Sequence, residues 1–584
     1  MVGLHAEYLT EELDGAGHPS SVSLHCPPGF NFGYDVVDRI GALTPDRRAL
    51  RWCNDGGEQR TYTFGEMRRL SDQAAAYFLS VGVRKGDRVL LILKRHPQFW
   101  WAITALHKIG AVAVPATNQL KRYDLVFRLA EANISAVVCT LEGDVAAQVE
   151  EAAAELGRPL VTIGVRGSRP GWADLDQGVA DAAPFVRPSA ADLPAASDPM
   201  LLYFTSGTTA QPKMVVHDFS YPLAHIATAK YWHRVDPEGL HLTVSETGWA
   251  KSVWGKLYGQ WLMEACVDVY DFDRFDPVRL LQHLQDARVT TFCAAPTVYR
   301  FLITQDLSRY DLSALQHCTI AGEAMNPVVY ERFKELTGLE LKEGYGQTEM
   351  TLAVVTNYWQ PTKAGSMGTP APGYDVVLLT EDGTEAAAGV DGEICLRLAA
   401  GAKPIGLFTG YAGDPGTTRS VWHDGYYHTH DLARKDQDGY FWYVGRTDDM
   451  IKTSGYRVGP FEVESVVMTH PAVMECAITG APDEVRGTVI KATIVLAAGF
   501  EPTDALAKQI QAFVKQRTAP YKYPRVIAFV DRMPTTISGK IRRVEIRQQT
   551  EREAGQKTER EAGQTSSGSA GAPRRGAPTG RAAF

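Results

Sequence analysis

The segment from Arg88 to Pro115 constrains the fold most. Arg88–Leu93 (RVLLIL) is a short apolar run entered from Gly86-Asp87, the pattern of a buried strand. Pro97 opens a helical stretch through Ile109, Gly110 ends it, and Ala111–Pro115 (AVAVP) is a second strand. Strand, helix and strand in about 28 residues are the signature of a parallel sheet covered by helices. Ala136–Thr140 and Thr290–Ala295 read as further buried strands. The fold class expected is therefore α/β, with helix-covered parallel sheets.

Two regions depart from that alternation. Asp375–Thr380 (DVVLLT) and Glu393–Leu398 (EICLRL) lie between turn-rich stretches with no helix separating them, so an antiparallel β subdomain is expected. From Pro460 a new pattern begins. It has a helix near Glu462–Thr469, strands at Glu475–Thr479 and Ile490–Leu496, and a helix at Thr503–Arg517. That is a small α+β domain of ordinary size. The last stretch repeats TEREAGQ at Thr550–Gln556 and Thr558–Gln564, then becomes rich in Gly, Ser, Ala and Arg. Such a composition buries too little apolar surface to order itself. The expected division is a large domain over 1–447, a small domain over 448–549, and a disordered tail over 550–584.

A chain of 584 residues exceeds what one core supports. The longest apolar stretch, Ala102 to Ala116, is interrupted by His107 and Lys108 and falls short of the roughly 20 residues of a membrane span. The N-terminus lacks a basic-then-apolar signal pattern. Eight scattered cysteines, with no CxxC pair, argue against a zinc cluster or a disulfide framework. A reducing cytoplasm is the expected compartment. The net charge of −8 argues against general nucleic-acid binding. Asp449–Gln549 nevertheless carries 14 Lys and Arg against 10 Asp and Glu, which suits a polyanionic small ligand.

Chemistry concentrates in six segments. Tyr203–Lys213 (YFTSGTTAQPK) crowds hydroxyls and glycine ahead of a lysine, a combination that wraps phosphate oxygens. It is not the GxxxxGK[ST] loop, and taken alone it reads equally well as a polar turn. In order there follow AGEAM (Ala321–Met325), EGYGQTE (Glu343–Glu349), YYHTHD (Tyr426–Asp431), GRTDDMIKTSGYRVGPFEVE (Gly445–Glu464) and PTTISGKIRR (Pro534–Arg543). Together they resemble the signatures of the adenylate-forming superfamily, which holds acyl-CoA synthetases, luciferases and peptide-synthetase adenylation domains. The resemblance spans about residues 30 to 548. GYRVGPFEVE, TAPYKYPR and YDFDRFDP place it nearest the medium-chain acyl-CoA synthetases of prokaryotic type.

The resemblance implies a ligase that activates a short, branched or medium-chain acid with ATP and Mg²⁺ and passes it to coenzyme A. Its fold would be a large domain with a β subdomain, followed by a mobile small domain. For ATP and AMP it implies Thr205, Ser206, Gly207, Thr208, Thr209 and Lys213 on the phosphates. Gly322, Glu323 and Ala324 would line the adenine pocket. Glu343, Gly344, Tyr345, Gly346, Gln347 and Thr348 would follow, with Tyr345 stacked on the base. Glu349 would hold Mg²⁺, which favours carboxylate oxygens. Asp431 would take both ribose hydroxyls, and Arg446 a ribose or phosphate oxygen. Lys540 would bridge the attacking carboxylate and the α-phosphate as a mobile point charge, with Arg457 near the phosphates. Taken alone, Tyr345 reads as core packing, Glu349 as a surface carboxylate and Lys540 as an exposed lysine.

For the thioester step the resemblance implies a hinge at Asp448. It brings in Ser454, Gly455 and Tyr456, and coenzyme A contacts from Arg486, Arg517, Lys522, Tyr523 and Arg525. The acyl pocket falls on Ser245–Trp261 and the AAPT loop, with Trp249, Val253, Ala295 and Pro296 as lining. Trp249, Val253, Leu257 and Trp261 recur every four residues, so one helix with an apolar stripe is expected, with Lys251 and Lys256 snorkelling to water. Two positions depart from the family, which usually has glycine where this chain has Ala210 and His430. Two alternatives remain: an enzyme that loads a carrier protein, and a non-catalytic nucleotide-binding relative. The partners expected are a carboxylic acid, ATP and coenzyme A.

Overall fold

The computed structural model describes residues 1–189, 191–205, 212–399, 402–453, 456–483, 486–519, 521–535 and 541–553. The chain divides into two compact units, Met1–Asp448 and Asp449–Phe584.

The crossover that opened the sequence reading forms as expected. Arg88–Ile92 and Val112–Pro115 pair in parallel, Leu90 opposite Val114. Between them Gln98–Ile109 is helical and ends on Gly110, whose φ of 73° is the left-handed cap glycine supplies without strain. Every residue of that helix is buried, including Lys108. Lys108 Nζ is held at 2.6 Å by both Asp38 and Asp72, the pairing a buried ammonium requires. No helix among the described residues is long and apolar enough to cross a membrane.

These strands sit in an eight-stranded sheet, which runs from Gly410–Tyr411 through Lys213–Asp218, Pro199–Thr205 and the crossover to Ala173–Asp174. A nine-stranded sheet has six parallel strands at its centre: Leu341–Gly346, His317–Ala321, Thr291–Ala294, Leu240–Thr243, Cys266–Asp271 and Arg48–Asn54. Antiparallel strands complete its edges. The expected antiparallel β subdomain is a five-stranded sheet centred on Tyr426–Lys435. That strand pairs with Asp391–Arg397 on one side and with Phe441–Arg446 and Trp422–His423.

The stretch Ser245–Trp261 corrects the sequence reading. Two short helices, Ala250–Lys256 and Tyr258–Leu262, meet at Leu257, whose φ of −145° and ψ of −81° break the spiral. Trp249 precedes the first helix. The four-residue stripe arises because Val253, Leu257 and Trp261 all enter the core, not from one continuous helix. The lysines do not snorkel. Lys256 is buried, its ammonium donates to the Ser245 carbonyl, and burial pushes its pKa down to about 7. Lys251 Nζ donates to the Ala321 carbonyl at 2.9 Å.

In the second unit, Val473–Asp483 and Gly487–Leu496 form a hairpin longer than the two apolar runs suggest, and Val526–Phe529 adds in parallel. Helices Pro460–Val467 and Asp504–Arg517 supply Val463, Val467, Ile510 and Val514 to its core. A helix over 543–553 carries Thr550, which is buried and accepts from Lys491 Nζ at 2.8 Å. Packed chain therefore continues past the expected start of the tail; residues 554–584 lie outside the described ones.

Candidate active site

Strand ends of three sheets in the first unit carry the motifs, the place where open α/β sheets bind ligands. In the eight-stranded sheet, Thr205 is paired with Lys213 across an antiparallel ladder. The hydroxyl-rich loop is thus closed at its base by a hairpin. Ser206, Gly207, Thr208 and Thr209, with the departing Ala210, lie outside the described residues.

In the nine-stranded sheet, strand His317–Ala321 runs into Gly322, whose φ of 109° is open to glycine and strained for other residues. Glu323 accepts from Thr297 Oγ1 at 3.3 Å, and Lys251 reaches the carbonyl just before Gly322. The AGEAM turn, the AAPT loop and the Lys251 helix are therefore brought together. Pro296 is buried and starts the helix Pro296–Leu302, with Ala295 as its cap, while Val253 is fully buried and Trp249 half-buried. Glu343 is buried behind the turn and accepts only from the Met325 amide among the described residues, at 3.3 Å. Burial raises its pKa to about 8. Gly344 and Gly346 are needed for packing. A Cβ on Gly344 would stand 2.8 Å from Leu352 and 2.9 Å from Trp232, and one on Gly346 2.6 Å from the Thr351 carbonyl.

Asp431 gathers the next group. Its Oδ2 accepts from Tyr345 OH and Gln347 Nε2, each at 2.7 Å, and its Oδ1 accepts from Tyr443 OH at 3.1 Å. Arg446 stands 3.8 Å from Oδ1 and donates to Asp448 at 3.0 Å. Burial works against the Arg446 charge, but the carboxylates of Asp431 and Asp448 outweigh it and raise its pKa. Gln347 is fixed in turn by the Tyr427 hydroxyl at 2.7 Å. His430 takes a φ of 59°, which explains why glycine is usual there. Its side chain turns toward Glu393, 3.4 Å away.

Glu349 is buried, unlike a surface carboxylate. Its Oε1 accepts from Tyr411 OH at 2.8 Å, and among the described residues nothing donates to Oε2. Burial raises its pKa, opposed by the Tyr411 hydroxyl. Lys213 Nζ lies 5.0 Å from the centre of the Tyr411 ring. Thr348 precedes Glu349, and its carbonyl accepts from His217 at 2.8 Å. The site thus holds a buried carboxylate, a lysine, an arginine and a tyrosine–carboxylate pair. A nucleotide with a metal-neutralised phosphate chain fits that set.

The sequence profile described as AMP-binding enzyme matches residues 37–412, and that of the AMP-binding enzyme C-terminal domain matches residues 462–540. The chain belongs to the AMP-binding enzyme family. It is 38% identical over 540 residues to the mitochondrial acyl-coenzyme A synthetase ACSM3 of Homo sapiens, covering 90% of each. It is 39% identical over 536 residues to the mitochondrial ACSM4 of Rattus norvegicus, covering 90% of this chain and 91% of that one. The crystal structure of the anthranilate CoA ligase AuaEII with anthranoyl-AMP superposes with a TM-score of 0.82 at 26% identity, covering 91% of this chain and 99% of that chain.

Further candidates lie in the second unit. Ser454, Gly455 and Lys540 fall outside the described residues. Tyr456 stacks on Tyr521 with ring centres 4.0 Å apart, and Arg457 is exposed. Lys522 pairs with Glu462 at 2.6 Å, and Arg525 donates to Tyr523 OH at 2.7 Å. Arg517 covers Phe513, while Arg486 sits at the hairpin turn, its amide bonded to Asp483. Tyr411, Tyr427 and Tyr443 are site residues that the motifs alone do not mark. The doubled tyrosine of YYHTHD is the one signal that points to any of them.

Proposed function

We propose that this AMP-binding enzyme is an ATP-dependent, AMP-forming acyl-CoA synthetase for short, branched or medium-chain carboxylic acids. The observation that carries the reading is 38% identity to an acyl-coenzyme A synthetase over 90% of the chain, combined with the Tyr345–Gln347–Asp431 group and the Glu349–Tyr411 pair.

In the first half-reaction the acid's carboxylate oxygen bonds to the α-phosphorus of ATP, the α–β anhydride bond breaks, and pyrophosphate leaves. Thr205, Lys213 and the 206–209 loop hold the phosphates. Ribose hydroxyls replace donors now on Asp431, and Tyr345 moves onto the base. Glu349, a buried carboxylate held by the Tyr411 hydroxyl, suits a divalent ion, and magnesium bound there would neutralise phosphate charge. Lys540 steadies the charge developing between the two reacting anions. In the second half the thiol sulfur of coenzyme A bonds to the acyl carbon, AMP leaves, and the thiol proton is lost. The second unit supplies Tyr456, Lys522, Tyr523 and Arg525 to that step. The acyl chain runs beside Trp249, Val253 and Pro296. The eight free cysteines suit a reducing compartment such as the cytoplasm.

The test is acid-dependent ATP–pyrophosphate exchange across acids from acetate to decanoate, with branched and aromatic acids included. Each methylene well housed contributes about 0.8 kcal/mol, roughly fourfold, so a clear optimum should emerge. Exchange that no acid raises above the acid-free rate would remove the proposal.

A further inference from the structure

Apart from the nucleotide residues, the five-stranded sheet holds a cluster that the ligase reaction does not use. Glu393 and Cys395 lie two apart on one strand and so point to the same face. Opposite them Cys395 is in register with His428. The pairing shifts between Glu393 and Cys395, and His430, with its left-handed backbone, falls within that irregularity. The result draws three different donors together. Glu393 Oε2 is 3.0 Å from His428 Nδ1, and Cys395 Sγ is 3.5 Å from the same nitrogen. All three ligand atoms lie within 4.8 Å of one another.

The N···S separation is that of a tetrahedral metal shell, and the N···O pair, now a direct hydrogen bond, would open by about 0.4 Å to admit an ion. Bond lengths of about 2.0–2.1 Å for nitrogen, 2.0–2.2 Å for oxygen and 2.3 Å for sulfur give edges of about 3.4 Å for N···O and about 3.6 Å for N···S. Further imidazoles ring the cluster. His430 Nδ1 is 3.4 Å from Glu393 Oε1, and the His423 ring stacks on His428 with centres 3.9 Å apart. Glu393 Oε1 also accepts from the His430 amide at 2.7 Å, which aims Oε2 at His428.

We propose that Glu393, Cys395 and His428 form a binding site for a zinc-class divalent ion. Thiolate and imidazole select such an ion over magnesium or calcium, so the site is chemically separate from Glu349. Binding replaces the Cys395 thiol proton, and one proton is released per ion. The ligands sit next to Thr429 and Asp431, so the ion would brace the strand that presents the ribose carboxylate.

The test uses the full-length chain stripped with a chelator and titrated with Co²⁺. One equivalent should produce a thiolate-to-cobalt charge-transfer band in the near ultraviolet. Zn²⁺ should displace it and Mg²⁺ should not. Cys395→Ser should abolish the band, and His428→Gln should weaken binding at least tenfold, both with unchanged circular dichroism. If the serine variant does not fold, His428→Gln decides, because Zn²⁺ should then raise the melting midpoint of the parent chain and not of the variant. No band in the parent chain, a band that persists in Cys395→Ser, or an equal midpoint rise in His428→Gln would overturn the proposal.

Discussion

Among single residues, Glu349 shows how burial and chemistry combine. A carboxylate out of water is costly unless a cation or donors offset it, and Tyr411 supplies one donor. Glu349→Gln should therefore weaken the use of magnesium-bound ATP severely. Tyr411→Phe, which removes only the supporting hydroxyl, should raise the Mg²⁺ requirement about 10- to 100-fold. Burial raises the Glu349 pKa, so as the pH falls protonation should cut adenylation earlier than it would for an exposed glutamate. A Mg²⁺ titration of initial adenylation rates across pH measures all three, and curves that overlay the parent enzyme's would contradict them. Glu349 was legible as the end of EGYGQTE. Tyr411 was not, because it lies 62 residues away and only the fold makes the pair. Asp431 was legible too, but its three side-chain donors come from two other strands and a loop.

At the scale of elements, periodicity succeeded where a segment does one job. The Arg88–Pro115 crossover reads cleanly because every residue of its helix is buried and Gly110 marks the stop. It failed at Ser245–Trp261, where a stripe at four-residue spacing concealed the break at Leu257. No local signal distinguishes a buried lysine that bonds a carbonyl from one that reaches water, so Lys256 was misread as snorkelling. That lysine makes a definite prediction. Its pKa falls from the ordinary 10.5 to about 7 in the folded chain. Below the folded value both folded and unfolded forms carry the proton, and the full cost of burying the charge is present. Between the two values the unfolded chain binds more protons, so stability rises with pH. Lys256→Met should therefore raise the melting midpoint most at about pH 6, and the gain should shrink as pH climbs toward about 10. A gain that is constant with pH would show that the ammonium carries no burial cost.

For the whole molecule, the division after Asp448 sets the account of the two steps. Lys540 and the 454–456 loop both belong to the second unit, yet they are assigned to different half-reactions. On the proposed mechanism, one fixed pose would serve only one of them. Lys540→Ala should slow adenylate formation about 10²–10³-fold while sparing thioester formation from presynthesised acyl-adenylate. Asp448→Pro, which restricts φ at the proposed hinge, should spare adenylation and slow the thioester step. Single-turnover kinetics of each half separates these, and equal slowing of both halves by Lys540→Ala would make it a structural lysine. The order of the six motifs made this architecture legible before any coordinates. The packing of Thr550 was not, because it depends on a partner 59 residues away, and the hairpin runs on past its apolar stretches through backbone pairing that no side-chain pattern marks. The central claim is that one enzyme makes an acyl-adenylate and then spends it on coenzyme A. The most direct measurement is pyrophosphate, AMP and acyl-CoA counted together, with and without coenzyme A, on the best acid. With coenzyme A the three products should appear in equal amounts over many turnovers. Without it, pyrophosphate should appear as a burst of one per enzyme and then nearly stop. Continued pyrophosphate release without coenzyme A, or AMP unmatched by thioester in its presence, would contradict the account.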